Sequence, residues 1–181
     1  MNMMRFHDRD PDKCFAKPFS QSGPCRGIAK SLIPVTMVCG PPGSGKSTWI
    51  TKEAFPSDLL IDLDEIIAKL SGKPIYQAGK EWLGPAIFKR DEILRSLGSH
   101  PRTGYPAAWF INQAPFQQHR VRWAETLGAK IVVIETPPGV CIDRIKNDAR
   151  RNDKMSTWEV LVWRWWKMYS SHPTDTVIRG G

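Results

Sequence analysis

No apolar run in this 181-residue chain approaches the roughly 20 residues that a membrane-spanning helix needs. A membrane-embedded protein is therefore not expected. Cysteine is scarce: four residues, Cys14, Cys25, Cys39 and Cys141, no two spaced as CxxC, so neither a disulfide framework nor a zinc ribbon is indicated. His7 with Cys14 is too sparse a set to hold zinc. No internal repeat or low-complexity tract is present, which excludes a solenoid. The first residues, MNMMRFHDRDPDKC, place acidic side chains where an export signal carries an apolar core. A cytoplasmic location follows as the expectation.

Acidic residues are also in deficit, 18 Asp plus Glu against 26 Lys plus Arg, a formal charge of +8. Such an excess attracts polyanions, nucleotides and nucleic acids among them. Half of it lies between Arg144 and Lys167, where seven basic residues face three acidic ones. With 41% hydrophobic and 24% charged residues, the remainder is that of one ordinary globular domain.

Residues 1–31 lack periodicity and are rich in Pro, Ser and charge, so they read as a flexible arm preceding a domain over 32–181. Ile33–Cys39, IPVTMVC, is short, apolar and β-branched, as a buried parallel strand is. A helix from Lys46 to about Ala54 stops before Pro56. A second strand, Leu59–Leu63, ends at Asp64 and is expected beside the first. Two helical stretches follow, the second with an apolar stripe of Ile87, Phe88, Ile93, Leu94 and Leu97, then a loop over 98–106. Strands at 107–111 and 131–134 alternate with helices at 116–127 and about 139–149. A capping box at Ser156–Glu159 opens a helix to about Tyr169, and 176–178 supplies a last strand. Strand alternating with helix implies a three-layer α/β/α fold around a parallel sheet of about five strands, because right-handed crossovers put helices on the faces.

Between the first strand and helix stands GPPGSGKST, residues 40–48, which satisfies GxxxxGK[ST] in the context that motif requires. The backbone N–H groups of Gly40, Pro41, Pro42, Gly43, Ser44 and Gly45 (the prolines excepted) and of the helix start would cradle phosphates of ATP. Lys46 would neutralise the β- and γ-phosphates, Ser47 would place its hydroxyl on Mg²⁺, and Thr48 would reach the α-phosphate. This is the phosphate loop of a P-loop NTPase. The chain has no NKxD, the usual guanine-reading motif, and its third strand, AAWFIN, does not end in the Asp-Glu of motor ATPases. Those absences favour a small kinase. Two parallel strands ending at one carboxyl edge would bring Asp62 and Asp64 near the γ-phosphate, with strand alternation setting both on one face and Leu63 opposite. Asp64 is then the general base; Asp62 orients it or contacts water around Mg²⁺. Alternatively, Asp64 caps the helix beginning at Glu65.

Over about residues 33–169 the sequence resembles the 5′-polynucleotide kinase domain of bacteriophage type, within the P-loop kinases of adenylate-kinase-like topology. GPPGSGKSTW is similar to that family's phosphate loop. IDLDE, 61–65, looks like its second strand, whose terminal Asp accepts the proton of the attacking hydroxyl, here Asp64. QQHRVRWAET looks like its helix with a basic pair and a tryptophan. DRIKNDARRND looks like its lid, which implies that Arg144, Arg150 and Arg151 clasp the transferring phosphoryl group. Two positions depart from the pattern: Ile67 stands where the family has an Arg that contacts substrate phosphate, and Asn112 where it has an Asp. The resemblance implies a nucleic-acid substrate with a 5′-hydroxyl end; a small-molecule kinase and a P-loop ATPase accessory to nucleic-acid processing are the alternatives. Trp158, Leu161, Val162, Trp165 and Tyr169 follow helical spacing and should pack on the sheet, leaving Trp163 and Trp166 for exposure; the alternative is that aromatics of this helix stack bases of single-stranded nucleic acid beside Arg164 and Lys167.

Overall fold

A computed structural model describes residues 24–99 and 104–180. The described chain contains a five-stranded, all-parallel sheet in the order β2-β3-β1-β4-β5, built from β1 (Val35–Cys39), β2 (Leu59–Ile61), β3 (Ala108–Asn112), β4 (Lys130–Glu135) and β5 (Thr176–Arg179). Six α-helices connect them: α1 (Lys46–Glu53), α2 (Leu63–Ser71), α3 (Leu83–Ser99), α4 (Gln117–Leu127), α5 (Pro138–Lys146) and α6 (Met155–Met168). Short 3₁₀ turns at Lys80–Trp82 and Ala149–Lys154 precede α3 and α6.

The pleat sorts β1 onto two faces. Val35, Met37 and Cys39 point into the larger core with Ile66 of α2, Leu94 and Leu97 of α3, Trp123 of α4 and Trp165 of α6. Val38 points the other way, onto Ile50 and Trp49 of α1. One face therefore carries one helix and the other carries most of the rest, which is the expected α/β layering with an unequal share.

Several sequence expectations shift. The second strand does not lie beside the first, because β3 is inserted between them. The crossover from β1 skips one position, and the return crossover through α2 and α3 fills the gap. The stripe on α3 is rotated: Ala86, Arg90, Asp91, Leu94 and Leu97 are buried and Phe88 is 62% exposed. The capping box is not at a helix start, since α6 begins at Met155 and continues directly from the 3₁₀ turn. Trp163 is exposed as expected, but Trp166 packs inside and donates its Nε1–H to the Thr136 carbonyl at 3.2 Å. Trp165 is 1% exposed and gives its Nε1–H to the Gln113 carbonyl at 2.7 Å. An indole can enter a core when its one donor finds an acceptor.

Of the arm expected over 1–31, residues 1–23 lie outside the described residues, with His7 and Cys14 among them, as do residues 100–103 of the loop at 98–106. Within 24–31, Ile28 is buried in the larger core and Ser31 N–H donates to the Leu127 carbonyl. Cys39 and Cys141 are buried and free, as small apolar residues. Among the described residues no helix is long and apolar enough to cross a membrane.

Behind the sheet's carboxyl edge, Arg120 of α4 is wholly buried against Asp175, with Nη2 to Oδ2 at 2.7 Å, and also donates to the carbonyls of Ala114, Pro115 and Ser170. This pins the turn after β3 to the segment before β5. Removing one partner strands a buried charge. Asp175→Asn is expected to cost about 3 kcal/mol in urea unfolding; a change below about 0.5 kcal/mol would show that the carbonyls alone hold Arg120.

Candidate active site

Register sets the stage. Cys39, the last residue of β1, is level with Asn112 of β3, and Ile61, the last of β2, is level with Phe110. All three chains leave the sheet at one edge, with β2 two strand spacings from β1, about 10 Å. The phosphate loop rises from β1; Asp62 and Asp64 rise from β2; the end of β3 lies as a floor between them.

The loop at 40–45 is shaped by its neighbours. Gly43 has φ +75°, and a Cβ there would stand 2.5 Å from the Cys141 carbonyl and 2.9 Å from Ile145. Only a residue without a side chain lets the loop lie against α5. The Ser44 carbonyl accepts from Thr136 Oγ1 at 2.9 Å and from Arg144 Nη1 at 3.2 Å. Lys46, first in α1, folds back over the loop and donates to the carbonyls of Gly40 at 2.9 Å and Pro41 at 2.7 Å. Ser47 and Thr48 are exposed on the first turn of α1. A cleft of about 290 Å³ opens beside the loop, lined by Gly45, Thr48, Trp49, Arg144, Ile178 and Gly180 among others.

Asp62 and Asp64 are arranged differently from the expectation. The strand ends at Ile61, so strand alternation does not align them. Asp62, and not Asp64, is the N-cap of α2, its Oδ1 accepting from Asp64 N–H at 2.9 Å. A cap spends one carboxylate oxygen on the backbone. Asp64 sits in the first helical turn with no hydrogen bond to its side chain among the described residues.

Burial dominates the electrostatics. It lowers Lys46 to about 8, against the pull of Asp62. It raises Asp64 to about 6, with Asp62 adding repulsion and Arg151 and Lys46 opposing. Asp62 is raised as well, by burial, with its cap bond opposing. The same three partners recur in every case, so Lys46, Asp62, Asp64 and Arg151 form one charge cluster.

The three arginines expected in a lid are held differently. Arg151 joins the cluster, half-enclosed between Tyr76 and Trp158. Arg144 lies over the loop through Ser44. Arg150 is 59% exposed and doubly bonded to Asp148, at 2.8 and 2.9 Å, with its guanidinium 5.7 Å from the same Tyr76 ring. Tyr76 was missed by the sequence reading. It lies in a polar turn after α2, where neither periodicity nor a motif marks it.

The phosphate loop and the family model agree. A model described as AAA domain matches residues 35–173. The chain belongs to the AAA domain family. Among solved structures, the fold is similar to a gluconokinase from Sinorhizobium meliloti 1021, at 14% identity over 84% of this chain and 85% of that one, TM-score 0.51. It is also similar to a shikimate kinase from Acinetobacter baumannii in complex with shikimate, at 16% identity over 82% and 84%, TM-score 0.50. At those identities the likeness establishes the fold, an α/β P-loop NTPase of kinase-like shape. No curated protein matches the chain. P-loop kinases of this type use ATP with Mg²⁺.

The donor set fits such a ligand. The loop's shape leaves no room for side chains at Gly43, Lys46 has only loop carbonyls as partners at bonding distance beside a 3.4 Å contact to Ser44 Oγ, and Arg151 Nη1 is buried without a hydrogen-bond partner. Ser47 and Asp62 are the residues whose oxygens could hold Mg²⁺ or its water.

Because Asp64 is raised in the folded state above its ordinary 3.8, the folded protein binds an extra proton between about pH 4 and 6. The penalty for charging it is absent below that window and fully present above it. Asp64→Asn is therefore expected to stabilise the metal-free protein at pH 7 by about 1 to 3 kcal/mol, a rise of several degrees in melting temperature. The gain should vanish near pH 4. A lower melting temperature at pH 7 would contradict the assignment.

Proposed function

We propose that this chain transfers the γ-phosphoryl group of Mg-ATP to a hydroxyl group of a small molecule. The observation that carries it is the convergence of Lys46, Asp62, Asp64 and Arg151 at the edge where the phosphate loop opens. A loop alone fits any P-loop nucleotide hydrolase. A buried carboxylate raised to about 6, across the strand edge from the loop, suits removal of a proton from an acceptor hydroxyl near neutral pH.

In this reading the loop's N–H groups and Lys46 hold the β- and γ-phosphates, and the cleft beside Trp49 and Arg144 receives the nucleoside. Bound Mg²⁺ would supply charge neutralisation between the phosphates, with Ser47 and Asp62 as its protein-side contacts. The acceptor oxygen bonds to the γ-phosphorus as the bond to the β-phosphate bridging oxygen breaks. Its proton passes to Asp64, ADP departs, and Arg151 stabilises charge on the transferring group. Arg144 steadies the loop through Ser44, and Arg150 is assigned no catalytic role.

The small acceptor is preferred to a polynucleotide end for physical reasons. The turn after α2 reaches Arg151 through Tyr76, and the two carboxylates are half-buried. Of the residues in the basic C-terminal stretch, Arg150 is paired with Asp148 and Trp166 is bonded to the Thr136 carbonyl, while Trp163 stays exposed. Ile67 occupies the place of a phosphate-reading arginine. The gluconokinase and shikimate kinase of similar fold are, by their names, kinases of small molecules. That agrees with this reading.

Transfer of labelled γ-phosphate should be followed to a panel of hydroxylated metabolites, sugar acids and nucleosides, and to 5′-hydroxyl oligonucleotides. Label on a small acceptor, reduced at least 100-fold by Lys46→Ala and by Asp64→Asn, is the expected result. Label on the oligonucleotide alone would return the protein to the polynucleotide reading. ATP hydrolysis without any labelled acceptor would leave a P-loop ATPase.

A further inference from the structure

The turn between α2 and α3 carries the side chain that links the two sides of the site. Tyr76 has φ 69°, a left-handed backbone conformation uncommon for a bulky residue. From there it meets the lid in three ways. Its hydroxyl accepts from Arg151 Nη2 at 2.5 Å, the Arg151 guanidinium lies 4.2 Å from its ring centroid, and its ring meets Trp158 edge-on at 5.5 Å. The same guanidinium is 4.7 Å from the Trp158 ring. Arg151 is thus packed against two aromatic rings that meet edge-on, and bonded at one corner.

What remains of that guanidinium makes one ion pair and no hydrogen bond among the described residues. Nε stands 3.2 Å from Asp148 Oδ2, close enough for an ion pair but without hydrogen-bond geometry. Nε and Nη1 are buried and have no hydrogen-bond partner among the described residues. Arg120 shows the contrast: its donors end on Asp175 and three backbone carbonyls, so it is saturated and structural. A guanidinium is a rigid planar fork, so fixing its plane and one corner fixes where the other donors point. Burying donors unpaired is costly, and a ligand with free oxygens would complete them.

Building on the phosphotransfer reading above, we propose that Tyr76 is the positioning residue for Arg151, holding its unpaired donors for the γ-phosphoryl group so that the site distinguishes ATP from ADP. Tyr76 touches the arginine, not the reacting atoms. The turn after α2 and the lid thereby act as one part, and the acceptor side takes a hand in reading the nucleotide.

The test is calorimetric binding of a Mg-bound non-hydrolysable ATP analogue and of Mg-ADP to the full chain, for wild type, Tyr76→Phe, Arg151→Lys, Arg151→Ala and the Tyr76→Phe/Arg151→Ala double variant. Phenylalanine keeps the ring and its stacking, so folding should survive; Arg151→Lys keeps the charge and removes the fork. Tyr76→Phe is expected to lower the ratio of analogue to ADP affinity about 5- to 10-fold, with ADP affinity within twofold of wild type. Both Arg151 variants should lower it further. The double variant should match Arg151→Ala, because no fork is left to position. Equal losses for analogue and ADP, or losses that add in the double variant, would overturn the assignment. Affinities that follow the expected pattern while no acceptor is phosphorylated would uphold Tyr76 and remove the acceptor reading alone. Phosphotransfer with a Tyr76→Phe ratio unchanged from wild type would do the reverse.

Discussion

The Ser44 carbonyl is where the phosphate loop is tied to the rest of the molecule. It takes the Thr136 hydroxyl from the end of β4 and the Arg144 guanidinium from α5, while Gly43 lies against the Cys141 carbonyl one turn earlier on α5. A backbone wound so that its N–H groups face inward leaves carbonyls facing outward, and buried carbonyls need donors. Lys46 supplies donors to two others from within the loop. The loop's shape therefore depends on the strand after it in the sheet and on α5. Arg144 couples α5 to the loop.

The second constraint is burial of like and unlike charges in one small volume. Burial raises Asp62 and Asp64 and lowers Lys46, so each group is pushed toward its neutral form. That arrangement weakens the fold, since charged groups are held away from water without full pairing. It also prepares a carboxylate able to accept a proton near neutral pH. The structure resolves the competition by giving Asp62 a backbone bond as helix cap and leaving Asp64 without one. Two acidic residues two positions apart acquire different work from one turn of helix.

The sequence reading succeeded where local pattern and physics coincide. An apolar β-branched run followed by GPPGSGKST specified β1, the loop and α1, because the motif itself encodes its backbone path. Gly128 marked the end of α4, where it takes φ +68°. The reading failed where partners far apart in sequence decide. Helical periodicity placed Phe88 in a buried stripe, but Arg90 and Asp91 enter the core as a mutual pair, with bonds of 2.9 and 2.7 Å, and turn the helix. Trp166 looked outward until the Thr136 carbonyl, 30 residues earlier, proved to be its acceptor.

Nucleotide chemistry at the carboxyl edge of a parallel α/β sheet was therefore determined by the sequence alone, since glycine spacing, the Lys-Ser-Thr that follows and alternating strand and helix are all local. Strand order was not, and it is strand order that sets β3 between the loop and the two aspartates. How each arginine is held was equally a tertiary matter, because Arg150 and Arg151 are neighbours with the same chemistry and differ in what each is bonded to. Asp148 holds the first by two hydrogen bonds and the second by an ion pair alone; Tyr76, 75 residues away, accepts a hydrogen bond from the second.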